Sequence, residues 1–354
     1  MSRLAGIESG RGIAALLVVA VHARSHLLQA SGPFPGADLF RFGHVGVDFF
    51  FVLSGFIILH VHAGDIGRPA RLGHYLQRRV TRVLPLYWVI LALSLLVVLA
   101  RHPWPPWSVL VTSVLLLPLP GPLLVPVAWT LQHEMVFYAL FAMLILDRRL
   151  GLALFGGWLL LIVLDVAGIR GLHGSGLVDI HSMFDAEFFL GMLAATLLRR
   201  FPVRHSWSLL LTGVFLFLAL GAAEDMQRVR GPADLTHLGF GLASMLIVIG
   251  IVGAERQDRL HLPVALQRLG AASYALYITH LLAIGVTWQL LLATGLNRLL
   301  PAWSQFVLFL AAAVLLALAV SRVIEAPLIA GARRLLTRAG TRARGPLPVA
   351  GHGA

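Results

Sequence analysis

Ten long apolar segments follow one another along the chain, separated by short polar stretches. They cover residues 11–29, 44–62, 83–100, 127–146, 152–168, 183–198, 207–223, 237–253, 271–293 and 303–326. A helix of about 20 apolar residues crosses the hydrocarbon core of a bilayer, and each segment is long enough to do so, or nearly so. The pattern predicts an all-α fold, a polytopic integral membrane bundle of about ten transmembrane helices.

An eleventh apolar run, 107–119, is shorter and has prolines on both sides and near its end. Proline removes a backbone donor and ends helices, so this run predicts a re-entrant or interfacial piece that protein must cover. The arginines favour the same topology. With ten spans, 20 Arg fall on the side of the two termini and 7 on the other side, with Arg322 inside the last span. Basic residues crowd cytoplasmic loops, so both termini are predicted to be cytoplasmic.

Composition agrees with a membrane protein and removes several other classes. Hydrophobic residues make up 58% of the chain, charged residues 12%, and the mean hydropathy is +0.85. Cys is absent, which excludes disulfides, a thiolate nucleophile and a Cys-ligated metal, and no metal site is predicted. The net charge of +12 raises the question of nucleic acid. The topology accounts for that charge, so no nucleic-acid partner is predicted.

The pattern also divides the chain. Residues 1–330 are predicted to form one transmembrane domain in a bacterial cytoplasmic (inner) membrane, in contact with membrane lipids. Residues 331–354 are basic and rich in Arg, Gly and Pro, and they predict a disordered cytoplasmic tail.

The first span combines two ionisable residues eleven positions apart, Arg11 and His22. On a helix this spacing advances roughly 16 Å and returns to within about 20° of the same face. Arg11 then lies at one membrane edge with His22 about halfway across. An ionisable group at that depth normally faces a cavity or a partner and marks a functional path. The alternative is a polar residue packed between helices.

Two carboxylates inside later spans, Asp48 and Glu134, are candidate functional residues. Asp48 follows the start of the second span, from which it is expected to approach His22 and orient the imidazole; the alternative is a helix-end carboxylate facing water. Ser54 and Gly55, further along this span, indicate a point of close packing or of bending between helices. Glu134, in the fourth span with Tyr138 one turn later, is expected to be functional because of its insertion cost.

Arginines gather before the third span, where Arg78 and Arg82 share a helical face at the same membrane edge as Arg11. Arg binds phosphate through a bidentate fork, so these residues suit a polyanionic cytosolic cofactor; simple topology signals are the alternative. In the ninth span Ser273, Tyr277 and His280 share one face. Near the end of the tenth, the spacing of Arg322 and Glu325 predicts a structural ion pair.

These segments together resemble the membrane acyltransferase-3 family. The matching pieces are Arg11-Gly12-Ile13-Ala14 through His22, Val47-Asp48-Phe49-Phe50-Phe51-Val52-Leu53-Ser54-Gly55-Phe56, Arg78-Arg79-Val80-Thr81-Arg82-Val83-Leu84-Pro85, Trp129-Thr130-Leu131 with Glu134 and Phe137-Tyr138, Ser273-Tyr274 with Tyr277 and His280, and Glu325 before Pro327. The resemblance covers nearly the whole chain. It implies ten helices, an acyl-CoA donor from the cytosol and O-acylation of sugars or other hydroxyl compounds.

Residue chemistry and the resemblance together assign expected roles. The donor phosphates are expected to bind Arg11, Arg78 and Arg82. His22 is the expected general base, or the carrier of a short-lived acyl group, because its pKa lies near working pH. Asp48 would orient it. Glu134 would bind acceptor hydroxyls or shuttle a proton, and the expected substrate contacts are Tyr138, Ser273, Tyr277 and His280.

The expected reaction moves an acyl group, acetyl above others, from acetyl-CoA or another acyl-CoA to a hydroxyl of a glycan or lipid-linked sugar at the cell surface or on its way there. A secondary metabolite such as a macrolide is the alternative acceptor. Two other classes stay open at this stage: a transporter or flippase, and a structural partner of a polysaccharide-export complex.

Overall fold

The computed structural model describes residues 4–100, 102–119, 121–167, 182–226 and 233–343. Within these ranges the regular elements are helices and no strand is present, which confirms the all-α prediction. The helices are α1 (Ala5–Ser31), α2 (Gly46–His62), α3 (Leu72–Leu99), α4 (Trp107–Leu115), α5 (Trp129–Leu146), α6 (Arg148–Val166), α7 (Met183–Arg200), α8 (Ser206–Asp225), α9 (Ala233–Arg256), α10 (Val264–Ala271), α11 (Ser273–Thr294), α12 (Leu296–Leu299), α13 (Ala302–Val320) and α14 (Ala326–Ala343).

In the described parts of the chain, nine helical stretches are long and apolar enough to cross a membrane, so the protein is a multi-pass membrane protein. The remaining predicted segment, 183–198, forms α7, which is 18 residues long but carries Asp185 and Glu187 near its start and two arginines at its end. Both acidic side chains are buried, and α7 packs against α2 and α9. Thus α7 is a largely interior helix whose two acidic side chains face protein, whereas Arg199 and Arg200 at its end are exposed.

The proline-flanked run forms the short helix α4, whose nine residues extend about 14 Å and cannot cross a 30 Å core. Side chains of α3 contact one side of this short helix. The Tyr87 hydroxyl donates to the Ser113 carbonyl at 2.5 Å, and the Trp88 indole nitrogen donates to the Val114 carbonyl at 3.0 Å. The short length of α4 agrees with the predicted non-spanning piece; α3 contacts it on one side, while Trp107 and Leu115 are exposed.

Small residues bring α2 and α7 into backbone contact. A Cβ atom on Gly55 would lie 2.1 Å from the Phe188 carbonyl oxygen, and one on Gly191 would lie 1.9 Å from the Val52 carbonyl oxygen. No larger residue fits at either position without moving a helix. The predicted close packing at Gly55 is therefore present, and it holds polar residues of the two helices against one another.

The last helix departs from the expected tail. A single π-helical turn, Ser321–Glu325, joins α13 to α14, and α14 continues to Ala343. The range 331–343, predicted to be disordered, is therefore helical. Residues 344–354 of that predicted tail lie outside the described residues.

Candidate active site

A cavity of about 130 Å³ opens between α1, α2, α3, α5 and α11. We call it the arginine pocket, and its polar lining consists of Arg11, Ser54, Arg79, Arg82, Thr130, Glu134, Tyr138, Ser273, Tyr274 and Tyr277. The site residues predicted from the sequence that line it are Arg11, Arg82, Glu134, Tyr138, Ser273 and Tyr277. The remaining predicted residues, His22, Asp48, Arg78 and His280, lie outside its lining.

Arg11 reaches the pocket from α1 and is anchored to the start of α11. Its Nε donates to the buried Ser273 hydroxyl at 3.2 Å. Among the described residues no side chain bonds its two terminal nitrogens. A guanidinium with both terminal nitrogens available presents a bidentate fork to an anion in the pocket.

Arg82 has a different environment, because Glu325 accepts a hydrogen bond from its Nη1. The Glu325 side chain is almost completely buried, and the Arg82 guanidinium also lies 5.6 Å from the centre of the Tyr274 ring. The predicted ion pair of Arg322 with Glu325 is wrong, since Arg322 is exposed and Glu325 turns inward to Arg82. Arg82 thus enters the pocket with its charge already balanced.

Of the two neighbouring arginines on α3, Arg79 faces the pocket and Arg78 is exposed. The Arg79 guanidinium lies 5.8 Å from the centre of the Tyr138 ring and 3.4 Å from His62, while its Nε is buried without a partner. Helical spacing identifies this residue once the inward face of α3 is known. Arg79 is one turn before the buried Val83, so both belong to the inward face.

Glu134 supplies the carboxylate of the pocket. Its Oε1 accepts from the Ser54 hydroxyl at 3.0 Å and from the Tyr138 hydroxyl at 2.5 Å. No described residue donates to Oε2, which leaves that oxygen for a ligand. Sequence reasoning gave Ser54 only a packing role. The hydroxyl signal was present, because small polar residues inside spans commonly bond across helices.

Tyr277 forms the wall between the pocket and the middle of α11. Its hydroxyl bonds to the Thr130 hydroxyl at 2.9 Å and donates to the Val127 carbonyl at 3.1 Å. The Tyr277 ring centre is 6.0 Å from that of His280. Tyr277 thus borders the pocket and contacts His280.

His22 and His280 lie behind this wall, with ring centres 4.9 Å apart. Because Arg11 bonds Ser273 and His22 contacts His280, both α1 residues face α11, as the eleven-residue spacing predicted. His280 Nδ1 donates to the Tyr277 carbonyl at 2.7 Å, and its Nε2 is buried without a partner. The pair therefore contains one imidazole nitrogen, Nε2 of His280, that forms no hydrogen bond with a described residue.

The predicted pairing of Asp48 with His22 is wrong. Asp48 Oδ1 accepts from His237 Nδ1 at 2.6 Å, and its Oδ2 is buried without any partner. Glu187 of α7 lies beside them. Sequence reasoning passed over Glu187 and His237, although ionisable residues close to the start of the sixth and eighth apolar segments were a signal for function.

Comparison with known protein families and proteins finds similarity over most of the chain. The family model described as an acyltransferase domain, that of the acyltransferase-3 family, matches residues 4–322. The exopolysaccharide production protein ExoZ of Rhizobium meliloti (strain 1021) is 30% identical over 325 residues, 86% of this chain and 95% of ExoZ. Protein 2 in the picA locus of Rhizobium radiobacter is 32% identical over 160 residues, 38% of this chain and 79% of that protein. No solved structure matches. The protein is a multi-pass membrane acyltransferase, and it belongs to the acyltransferase-3 family.

Proposed function

We propose that the protein transfers an acetyl group from acetyl-CoA to a hydroxyl group of a glycan at the cell surface or on its way there. One observation carries the proposal: the arginine pocket combines anion-binding guanidinium groups with a carboxylate in a member of an acyltransferase family. The guanidinium groups of Arg11, Arg79 and Arg82 are set against the carboxylates of Glu134 and Glu325, so one positive charge remains for an anionic donor.

The donor phosphates bind at Arg11 and Arg79 in this proposal. Both guanidinium groups lie at the pocket and have nitrogens without partners among the described residues, whereas Arg82 is paired with Glu325. Arg79 takes the place that the sequence pattern gave to Arg78. Arg82, whose charge Glu325 balances, holds the pocket wall, and a phosphate approaching it competes with Glu325 for the same fork.

In the proposed reaction the acceptor oxygen attacks the thioester carbonyl, its proton passes to a base, and the CoA thiolate leaves and takes up a proton. His22 is the proposed base, with His280 as its neighbour in place of Asp48. The pantetheine arm carries the thioester past Tyr277 toward His22. On a helix Arg11 and His22 are roughly 16 Å apart, the order of length of that arm extended.

Glu134 and Tyr138 are proposed to handle the polar part of the substrates. Glu134 Oε2 has no described donor, so it can accept a hydrogen bond from a sugar hydroxyl. A glycan acceptor is supported by the similarity to ExoZ, whose name assigns it to exopolysaccharide production. Substrate contacts at Ser273, Tyr277 and His280 complete the proposal.

The proposed location is the bacterial inner membrane with both termini in the cytoplasm, which is where acyl-CoA is made. Reporter fusions after Ala63 and at the C-terminus should report cytoplasm, and a fusion after Gly121 should report the opposite side. A cytoplasmic signal after Gly121 would contradict the topology and with it the donor's access to the arginine pocket.

Glycan analysis tests the function directly. Surface glycans from wild-type and deletion strains are compared by proton NMR before and after mild alkali, which removes O-acyl groups. The proposal expects alkali-labile acetyl signals that are lost in the deletion strain and restored by the wild-type gene, but not by His22→Ala at equal expression. Unchanged O-acyl content in the deletion strain would overturn the glycan acceptor.

A further inference from the structure

A second cluster of ionisable residues lies near the starts of α2, α7 and α9, outside the arginine pocket. It consists of Asp48, Glu187 and His237, and we call it the acid cluster. One oxygen or nitrogen atom from each residue lies within 4.8 Å of those from the other two. The side chains of Asp48 and Glu187 are completely buried, and that of His237 is 17% exposed.

The carboxylates of the acid cluster are short of partners. His237 donates one hydrogen bond to Asp48 Oδ1 at 2.6 Å. Asp48 Oδ2 and both Glu187 oxygens are buried without a hydrogen bond from any other described residue, and the two carboxyl groups face each other. No described arginine forms an ion pair with either carboxylate. Two buried carboxylates without a compensating cation are costly, so the arrangement calls for a positively charged ligand or a proton.

Asp185, two residues before Glu187 on the same helix, is a buried carboxylate in which both oxygens have hydrogen-bond partners. Its Oδ1 bonds His133 Nδ1 at 2.9 Å. Its Oδ2 accepts from the backbone nitrogen and the hydroxyl of Ser182, both at 3.2 Å, which caps α7. Every oxygen has a partner here, and the pair needs no ligand.

The backbone makes room for the Glu187 side chain. Gly241 lies one turn after His237 on α9, and a Cβ atom at this position would lie 3.1 Å from Glu187 Cγ and 3.4 Å from its Oε1. With glycine at this position, the Glu187 carboxylate fits between α7 and α9, on the side of α9 that carries His237. The unpaired oxygens therefore occupy a space that the helix packing keeps open for that side chain.

We propose that Asp48, Glu187 and His237 bind a divalent transition-metal ion. Two carboxylates and one imidazole neutralise a doubly charged cation, and three protein ligands with an open position are typical of accessible Zn²⁺ sites. The mixed nitrogen and oxygen donors favour Zn²⁺ or a neighbouring metal over Mg²⁺, which prefers oxygen and water. The bound ion ties the starts of three helices together, and it adds a metal that the sequence alone did not predict.

Access for the ion is available on the side of His237. The ring of His44 lies 6.3 Å from that of His237, is 42% exposed, and its Nε2 is 3.4 Å from a Glu224 oxygen. These two outer side chains can pass a cation from solvent to the buried ligands. The site is thus reachable without opening the arginine pocket.

Metal content of the purified full-length protein in detergent tests the proposal. After incubation with Zn²⁺ and removal of free metal, mass spectrometry should find about one ion per chain. In Glu187→Gln and His237→Ala, the Kd for Zn²⁺ should rise by more than the roughly 10–100-fold that follows loss of a ligand's hydrogen-bond partner. His133→Gln, the matched control, removes the other buried imidazole that pairs with a carboxylate on α7 and should retain the ion. Equal metal content in all four proteins would show an adventitious ion and overturn the proposal.

A measurement on the wild-type chain removes dependence on the folding of variants. Co²⁺ bound in a low-coordinate nitrogen–oxygen site should give visible absorption that titrates to one equivalent, is displaced by Zn²⁺ and is absent from the Glu187→Gln variant. A wild-type protein that takes up neither ion would show that the carboxylates share a proton instead. Acyl transfer is measured separately, so a failed metal site and a failed acyltransferase assignment give different results.

Discussion

The arginine pocket and the acid cluster place buried charges in the membrane domain in two different ways. In the pocket Glu134 accepts from Ser54 and Tyr138, and cations stand on the walls of an open cavity. In the cluster Asp48 and Glu187 are completely enclosed and three of their oxygens have no partner. A charge inside a membrane protein is tolerated when groups around it replace water. The first region does so with protein and a cavity, and the second requires a proton or a cation.

The difference also separates chemistry from assembly. The arginine pocket is lined by five helices and meets the His22–His280 pair across one tyrosine, which suits a reaction between two substrates. The acid cluster joins three helices near their starts, which suits a fixed ligand. The following variants test that separation, in order of the size of the expected effect.

The largest effect is expected at His22. A general base contributes about 10²–10⁴-fold in rate, so His22→Gln should lose acyl transfer by that factor while acetyl-CoA binding stays within about twofold. The matched control is His26→Gln, one turn further on α1, where the imidazole packs against Trp288 and Phe309. Transfer and binding are measured with labelled acetyl-CoA. Near wild-type transfer by His22→Gln would move the base to Glu134 or His280.

The second largest effect is expected on stability, when Arg82 is replaced. Arg82→Gln leaves the buried Glu325 without its cation, and an unsatisfied buried charge-assisted hydrogen bond costs about 1–3 kcal/mol. The double variant Arg82→Gln with Glu325→Gln should recover part of that loss, because no uncompensated charge remains. Unfolding in mixed micelles gives the free energies. A double variant as unstable as the sum of the single variants would show that the two residues are not coupled.

Donor affinity distinguishes the neighbouring arginines. Arg79→Ala should raise the Kd for acetyl-CoA by roughly tenfold, the scale of a lost charge-assisted contact, and Arg79→Lys should restore only part of it. Arg78→Ala changes the same charge on the exposed face of α3 and should leave the Kd within about twofold. Isothermal titration of both variants checks the pair. A larger rise in Kd in Arg78→Ala than in Arg79→Ala would instead assign the donor site to Arg78.

The smallest effect compares the two carboxylates of α7 in metal-free protein. Asp185→Asn should lose about 1 kcal/mol, because it weakens bonds to His133 and Ser182. Glu187→Gln should be neutral or stabilising, since it removes a buried charge that has no described partner. With Zn²⁺ present, only wild type and Asp185→Asn should gain stability. An equal loss from both substitutions in metal-free protein would mean that Glu187 has a structural partner.

Much of the fold follows from local pattern. The ten apolar segments correspond to long helices because a backbone in lipid must satisfy its hydrogen bonds within the segment, and hydropathy records that requirement directly. The short helix formed by 107–119 was predictable from the same kind of local pattern, its length and its prolines. Arg11 and His22 share a face through helical periodicity alone.

Which residues of other helices each helix face contacts was not predictable from local pattern. Helical period distinguishes Arg79 from Arg78 only once the inward face of α3 is known, and neighbours in sequence did not reveal that Asp48 meets His237 rather than His22. Glu325 likewise pairs with Arg82, 243 residues away, and not with Arg322, which lies one turn before it.

The sequence by itself therefore determined the helices, the acyltransferase family and six of the ten polar side chains of the arginine pocket, because each depends on composition, spacing or a motif within one segment. Tertiary structure alone decided which charges meet. Close approach at Gly55, Gly191 and Gly241 sets how α2, α7 and α9 pack, and that packing brings Glu187 and His237 to Asp48. Contacts between distant segments depend on the register of packed helices, to which no single apolar pattern is sensitive.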